Sequence, residues 1–201
     1  MKVLKNLFGV LPKKGDHVIK LLGQHCLLRT FVEMDAGALA QLLQNNKFYW
    51  SVYEPLHRDE YYSELTQQRK IVEGLRLAQE NREFSFGIFE QQTGQLIGHI
   101  SLYAIKRLPY SSAFVGYSMD QHYAGRGIAT EAVALVLDFA FNKLNIHRIE
   151  AYVAPENLAS VRVLEKSDFV REGLLRELLF INGHWVDHYM YAILQRDFQR
   201  K

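Results

Sequence analysis

Residues 115–132 read VGYSMDQHYAGRGIATEA, and this segment decides how the rest of the chain is interpreted. A strand-like run ends near Met119, a loop with two glycines follows, and an amphipathic helix begins at about Gly127. The first turn of a helix leaves backbone N–H groups without intrahelical partners, and that end carries about half a positive charge. Gly125 and Gly127 permit positive φ and let a ligand approach the main chain. The segment therefore predicts an anion site that suits a diphosphate.

The same loop excludes two common classes of phosphate site. It lacks the Gly-x-Gly-x-x-Gly pattern of dinucleotide folds and the Gly-Lys-Ser/Thr ending of nucleoside triphosphate loops. A diphosphate bound here therefore belongs to another kind of cofactor. Two glycines before a helix also occur in tight turns that bind nothing, so the neighbouring segments must decide between the two interpretations.

Hydrophobic periodicity predicts the other elements. Strands are expected at 25–32, 84–88, 96–103, 113–119, 147–154, around 169 and at 184–194, with helices at 35–46, 59–81, 127–143 and 158–166. Asp35 is expected to cap the first helix. The early hairpin is antiparallel, whereas a strand–helix–strand unit favours parallel pairing. The fold class is therefore α/β, or α+β by stricter naming, with a mixed central sheet flanked by helices.

Composition sets further limits on function. The length of 201 residues suits one domain, which we expect at 25–201 after an N-terminal extension at 1–24. A formal net charge of +2, with acids and bases interleaved, predicts no nucleic-acid partner. Cys26 is the only cysteine, which indicates a reducing compartment. The apolar run near the N-terminus is too short for a signal peptide or a span, so we expect a cytoplasmic protein that does not enter membranes.

The segment His122-Tyr123-Ala124-Gly125-Arg126-Gly127 resembles the Gln/Arg-x-x-Gly-x-Gly/Ala motif of GNAT acetyltransferases. That resemblance implies that the loop and helix start bind the diphosphate of acetyl-CoA, while the preceding strand hydrogen-bonds the pantetheine arm. The implied cofactor-binding residues are Ser118, Met119, His122, Ala124, Gly125, Arg126, Gly127, Ile128, Ala129, Thr130, Asn157 and Ser160. Position 122 more often holds Gln or Arg in that family, and a solvated surface histidine is an equal alternative for His122.

A second segment, 157–169, resembles the Asn-x-x-Ser stretch that runs through a short helix into a Gly-Phe turn in that family. Asp168 replaces the usual glycine, and aspartate tolerates the left-handed region better than most residues. Leu164 stands where many relatives carry a tyrosine that protonates the departing thiolate. By resemblance to the ribosomal-protein subgroup, that acid role goes to Ser160. The alternative is that Asn157 and Ser160 only cap and line the helix.

The chain most resembles ribosomal-protein-alanine N-acetyltransferases. The similar segments are 54–55 (EP), 116–119 (GYSM), 146–149 (IHRI) and 181–188 (INGHWVDH). This resemblance implies transfer of the acetyl group to a protein N-terminal α-amine by a monomer or homodimer. Relatives with this architecture also acetylate small amines and antibiotics. A non-catalytic module that binds acyl-CoA is a second possibility, from a different class.

The implied mechanism is direct attack of a neutral amine on the thioester, with the oxyanion stabilised by a main-chain N–H near Met119. Glu54 and Glu177 are the candidates to take the proton, although either can equally be a solvated carboxylate. The rings of residues 49, 50 and 53 either line the acceptor groove or pack against the sheet. The histidines at 147, 184 and 188, with the acid at 187, lack helical metal-binding spacing, so no metal is predicted.

Overall fold

Eight strands form one sheet in the computed structural model, which describes residues 18–198. The strands are β1 (Lys20–Leu22), β2 (Cys26–Thr30), β3 (Phe84–Glu90), β4 (Leu96–Lys106), β5 (Ser112–Met119), β6 (Arg148–Val153), β7 (Val170–Ile181) and β8 (His184–Leu194). The helices are α1 (Ala36–Trp50), α2 (Glu64–Gln79), α3 (Ile128–Asn142), α4 (Leu158–Lys166) and the short α5 (Gln195–Phe198).

The sheet is mixed, as the sequence predicts. The strand order is β1-β2-β3-β4-β5-β6-β8-β7. Strands β5 and β6 are parallel, and each of the other neighbouring pairs is antiparallel. The parallel pair flanks α3, which connects the end of β5 to the start of β6. The glycine loop therefore lies at the carboxyl end of a central strand.

The two faces of the sheet bury different helices. Successive strand residues point to opposite faces. Phe84 and Phe86 of β3 contact the ring of Phe139 on α3, at centroid distances of 5.1 and 5.8 Å. Phe89, one step out of that alternation, packs instead with residues of α1 and α2 such as Leu43. Helix α3 thus covers one face, and α1 and α2 cover the other.

The sheet begins before the predicted domain boundary at residue 25. Strand β1 pairs with β2, and Ile19 is buried in the α3 core. Residues 18–24 of the expected extension therefore belong to the folded unit, while residues 1–17 lie outside the described part. A three-residue edge strand has too few positions for periodicity to reveal it.

Asp35 occupies the predicted N-cap position of α1, but its side chain makes no capping hydrogen bond to that helix. Its carboxylate instead accepts the N–H of Val32 at 2.8 Å and two bonds from the Arg29 guanidinium, each 2.8 Å. It lies in a 3-10 turn, Glu33–Asp35, that precedes α1. Helix α1 also runs to Trp50, four residues beyond the predicted end. Helix α2 begins at Glu64, later than predicted, after a 3-10 turn at Asp59–Tyr62.

Helices long and apolar enough to cross a bilayer are absent from residues 18–198.

Replacing Asp35 by Asn should destabilise the fold by about 1–3 kcal/mol at neutral pH, because the half-buried Arg29 loses its charged partner. Burial alone would raise the pKa of Asp35, but the bonds from Arg29 and Val32 outweigh it and lower that pKa. A lowered carboxyl pKa stabilises the fold above the unfolded value of about 3.9, and the gain disappears as pH falls through the folded value. Urea denaturation across pH measures this difference.

The matched control is Asp59→Asn. Asp59 pairs with Lys47 at 2.8 Å, but its side chain is 95% exposed, against 13% for Asp35. Solvent screens exposed pairs, so the urea midpoint should stay unchanged. Equal effects of the two substitutions would contradict the assignment.

Candidate active site

Strands β5 and β6 separate soon after they meet. They pair over three positions, from Ser112 opposite Arg148 to Phe114 opposite Glu150. The rest of β5 continues toward the glycine loop without β6 beside it. Its backbone groups on that side are therefore available to an extended ligand. This is where the sequence places the pantetheine arm.

The glycine loop adopts the predicted conformation. Gly125 and Gly127 have φ values of 77° and 82°, in the left-handed region that favours glycine. A Cβ built on either residue would meet no atom of the chain within 4 Å. The space above both glycines is therefore open, and both residues are exposed.

The start of α3 presents its amides to that space. The first backbone bond of the helix runs from the N–H of Glu131 to the carbonyl of Gly127, at 3.1 Å. The N–H groups of Ile128, Ala129 and Thr130 precede it and lack an intrahelical partner. These residues, with Ala124–Gly127, form what we call the diphosphate cradle. The side chain of Arg126 lies over the ring of Tyr123, with 4.8 Å between the guanidinium carbon and the ring centroid.

Helix α1 and the turn that follows it fix the end of β5. The amide of Asn46 donates to Asp120 (3.3 Å) and accepts from the N–H of Gln121 (3.0 Å). The indole of Trp50 donates to the carbonyl of Met119 at 2.8 Å. The hydroxyl of Ser118 donates to Glu54 Oε1 at 2.5 Å. Asn46 and Trp50 are one helical turn apart, so they lie on the same face of α1. Glu54 lies in the turn after the helix, where its N–H donates to the carbonyl of Trp50 at 3.0 Å.

Two of the residues predicted to serve catalysis and cofactor binding, Glu54 and Ser118, are therefore in direct contact. Burial raises the pKa of the Glu54 carboxyl above its ordinary value, while the bond from Ser118 partly opposes that shift. A carboxyl with a raised pKa is a stronger base once ionised. Glu54 also lines a small cavity of about 40 Å³ with Trp50 and His57.

Ser160 meets a residue that the sequence reasoning did not single out. The hydroxyls of Ser160 and Tyr117 lie 2.9 Å apart, which links α4 to β5 beside the gap between the strands. Burial raises the pKa of Tyr117 to about 12, although the bond to Ser160 opposes it, so the phenol stays protonated. Leu164 is 1% exposed and belongs to the core. A phenol is thus present beside Ser160, supplied by β5.

Asn157 and Asp168 have local structural roles. The side-chain oxygen of Asn157 accepts the N–H of Ser160 at 3.1 Å, which caps α4. The predicted capping alternative therefore describes one function of Asn157, and its cofactor contact stays a prediction. Asp168 has φ of 63°, the left-handed conformation expected where relatives carry glycine.

Glu131, in the first turn of α3, is directed away from the cradle. Its carboxylate accepts the N–H groups of Gln24 and His25, the latter at 3.0 Å, in the β1–β2 turn. The His25 ring lies 3.5 Å from the same carboxylate. Glu131 is the only acidic side chain in the first turn of α3, and its carboxylate is hydrogen-bonded to backbone N–H groups at the edge of the sheet.

The fold does not place Glu177 in contact with Glu54 or Ser160, the other two candidate catalytic residues. It lies where the β7–β8 register shifts, between Leu175 and Leu179, with φ of 51° and an exposed side chain. Its N–H donates to Asp187 Oδ1 at 2.7 Å. Its side chain makes no hydrogen bond or ion pair with the other candidates in residues 18–198. Its catalytic role stays a prediction.

The aromatic connector divides between packing and exposure. Trp50 packs edge-on to His99 at 5.5 Å and is 9% exposed. Tyr53 donates to the carbonyl of Glu156 at 3.1 Å, whereas Tyr49 is 45% exposed. His122 is exposed, and Asp120 accepts its backbone N–H at 2.8 Å.

Across the described range 18–198, we find no cluster of three or more His, Cys, Asp or Glu that could hold a metal. The ring of His188 instead lies 3.0 Å from the carbonyl of Val186.

An open main-chain cradle at the end of β5, beside separated parallel strands, suits an extended cofactor that contains a diphosphate. Residues 25–170 match the family model of the acetyltransferase (GNAT) domain. The chain therefore belongs to the GNAT acetyltransferase family, whose members transfer an acetyl group from acetyl-CoA to an amine. The predicted family, fold and cosubstrate are confirmed.

Three relatives illustrate the similarity. The probable N-acetyltransferase YjcK of Bacillus subtilis strain 168 is 41% identical over 177 residues, 88% of this chain and 98% of YjcK. The ribosomal-protein-S5-alanine acetyltransferase from Vibrio fischeri has a TM-score of 0.85 at 30% identity, over 89% of this chain and 98% of that one. Mycobacterium smegmatis RimJ, in complex with CoA-disulfide, has a TM-score of 0.81 at 30% identity, over 86% and 83%.

Replacing Gly127 by Val should weaken coenzyme A binding by about 100-fold or more, which corresponds to about 2.8 kcal/mol. The added side chain would fill the cradle, and left-handed φ costs a β-branched residue a further 1–2 kcal/mol, roughly. Isothermal titration calorimetry with coenzyme A measures the change.

Gly94→Val is the control, because Gly94 has φ of 71°, equally open space and a position in the β3–β4 turn. It carries the same backbone strain away from the cradle and should leave affinity intact. Normal binding by Gly127→Val would place the diphosphate elsewhere.

Proposed function

We propose that this protein transfers the acetyl group of acetyl-CoA to the N-terminal α-amine of a ribosomal or other protein, in the cytoplasm. The observation that carries this proposal is the contact between Glu54 and Ser118 at the end of β5. An α-ammonium has a pKa of about 7.7–8.0, against about 10.4 for lysine. A carboxylate with a raised pKa, such as Glu54, can deprotonate an α-ammonium far more readily than a lysine ammonium. Similarity to the S5-alanine enzyme supports the same acceptor class.

In the proposed reaction the cradle binds the diphosphate, and β5 orients the arm of the cofactor. Glu54 takes a proton from the amine, which then attacks the thioester carbonyl. The N–H of Met119 stabilises the oxyanion. As the carbon–sulfur bond breaks, the attached nitrogen loses its second proton to water and Ser160 donates its proton to the departing thiolate. The phenol of Tyr117, which is protonated at neutral pH and lies 2.9 Å from the Ser160 hydroxyl, passes its proton to Ser160 and regains one from water. The products are the N-acetylated amine and coenzyme A.

Incubation with acetyl-CoA and a panel of N-terminal peptides should give acetylated peptides, detected by mass spectrometry. Spermidine and an aminoglycoside serve as comparison acceptors. Acetylation of the small amines alone would show that the acceptor class is wrong, although the family would stand. Coenzyme A binding without turnover on any amine would instead favour a non-catalytic module.

Replacing Glu54 by Gln should lower kcat by about 10²–10⁴-fold, with coenzyme A affinity unchanged, because the general base is lost. In the unsubstituted enzyme, kcat should fall as pH decreases through the raised pKa of Glu54, since the protonated carboxyl cannot accept a proton. Steady-state kinetics across pH tests both statements. Glu177→Gln should retain full kcat, and the reverse pattern would move the base role to Glu177.

A further inference from the structure

A cavity of about 520 Å³ lies between α2 and the sheet. Apolar side chains of α1 and α2, among them Leu39 and Ile71, form its walls. Ser85, His99 and Ser101, which share one face of β3 and β4, form its floor. This volume is within the range of about 300–1,000 Å³ that small-molecule sites occupy.

The cavity adjoins the proposed transfer site. Leu43, Tyr61 and His99 line both this cavity and the smaller one that contains Glu54. His99 is also directly opposite Ser118, the partner of Glu54, in the β4–β5 register. His99 therefore stands between the Glu54 carboxyl and the larger space.

The ring of His99 is neutral and has hydrogen-bonding capacity left over. Burial, aided by the charge of Lys70, lowers the pKa of His99 to about 4. A neutral imidazole offers one donor and one acceptor. Within residues 18–198 neither ring nitrogen has a hydrogen-bond partner, and the one fully enclosed side-chain polar atom without a partner is the hydroxyl of Ser167. The ring nitrogens are therefore not fully enclosed, and His99 lines both cavities.

The charges around the cavity disfavour a polycation. Arg69 and Lys70 both line it. Of the two lining carboxylates, Glu73 is held by Arg76 through bonds of 2.9 and 2.6 Å. The other, Glu83, accepts the hydroxyl of Ser85 at 3.1 Å. The second ammonium group of a polyamine in this cavity would thus lie near two cations, and both lining carboxylates already accept hydrogen bonds from other side chains.

We propose that this cavity receives an apolar second side chain of a peptide acceptor, while His99 hydrogen-bonds the first peptide group. The inference rests on the proposed function and names the substrate feature that the same site selects. Directly paired residues of neighbouring strands lie about 4.5–5.5 Å apart. Successive Cα atoms of a peptide are about 3.8 Å apart. An α-amine at Glu54 therefore brings the following peptide group to His99 and the second side chain into the cavity.

Gly74→Leu tests this placement by filling the cavity. Gly74 lines the cavity, and a Cβ added there would meet no atom within 4 Å, so the helix accepts the change without strain. The control is Val72→Leu on the same helix, because Val72 is 47% exposed and lies outside the lining. Gly74→Ala, which adds one methyl group, provides a second variant that should fold readily.

The probes are peptides that begin Ala-Phe, Ala-Lys or Ala-Gly, with spermidine as a fourth. The unsubstituted protein should prefer Ala-Phe to Ala-Lys and to spermidine by at least about tenfold in kcat/KM. Gly74→Leu should raise KM for Ala-Phe at least tenfold, Gly74→Ala less so, and leave KM for Ala-Gly and coenzyme A affinity unchanged. Val72→Leu should change none of these.

Equal effects of Gly74→Leu on Ala-Phe and Ala-Gly, or a preference for spermidine, would overturn the inference. Calorimetric binding of the Ala-Phe peptide to the coenzyme A complex gives a readout that does not need turnover. Suppose that no peptide is acetylated, but that Ala-Phe binds and Gly74→Leu abolishes this binding. That result would refute the proposed function and leave the cavity assignment standing. Ala-Phe binding that survives in Gly74→Leu would refute the cavity assignment alone.

Discussion

The position of the last residues of β5 depends on three side chains, two from α1 and one from the turn that follows it. Asn46, Trp50 and Glu54 hold residues 118–121 through hydrogen bonds. Because β6 leaves β5 after three paired positions, the sheet does not support this end of β5 from that side. Helix α1 and the turn after it supply the missing support. The glycine loop, the proposed base and the proposed acceptor cavity all adjoin this junction.

Local sequence patterns predict most of the fold. The glycine loop is predictable because a positive φ directly before a helix favours glycine, and Gly125 and Gly127 both adopt a positive φ. Periodicity locates α3, α4 and the strands β4, β5 and β8 to within a few residues. It misses the three-residue β1 and most of β7, which runs from Val170 to Ile181. Asp35 occupies the predicted cap position, but Arg29 and Val32 bind its carboxylate in place of the helix start.

The candidate site was less accessible, because its contacts join residues far apart in the chain. Glu54 and Ser118 were both named from resemblance, but their contact depends on how α1 crosses the sheet. The sequence pattern does not indicate the phenol of Tyr117, because the family pattern has its tyrosine at position 164, where this chain has leucine. His99 gave no local signal at all, since its chemistry arises from burial and from its place opposite Ser118.

The orientation of Glu131 has an energetic consequence for the cradle. A carboxylate in the first turn of a helix normally competes with any anion for the positive potential there. Here the carboxylate of Glu131 is hydrogen-bonded to the amides of Gln24 and His25 and directed away from the helix start, which reduces its competition with a diphosphate at the proposed site. We therefore expect cofactor affinity to depend on a hairpin turn that need not touch the cofactor. Substitutions in the β1–β2 turn are therefore expected to change the affinity for the cofactor without altering any residue of the glycine loop.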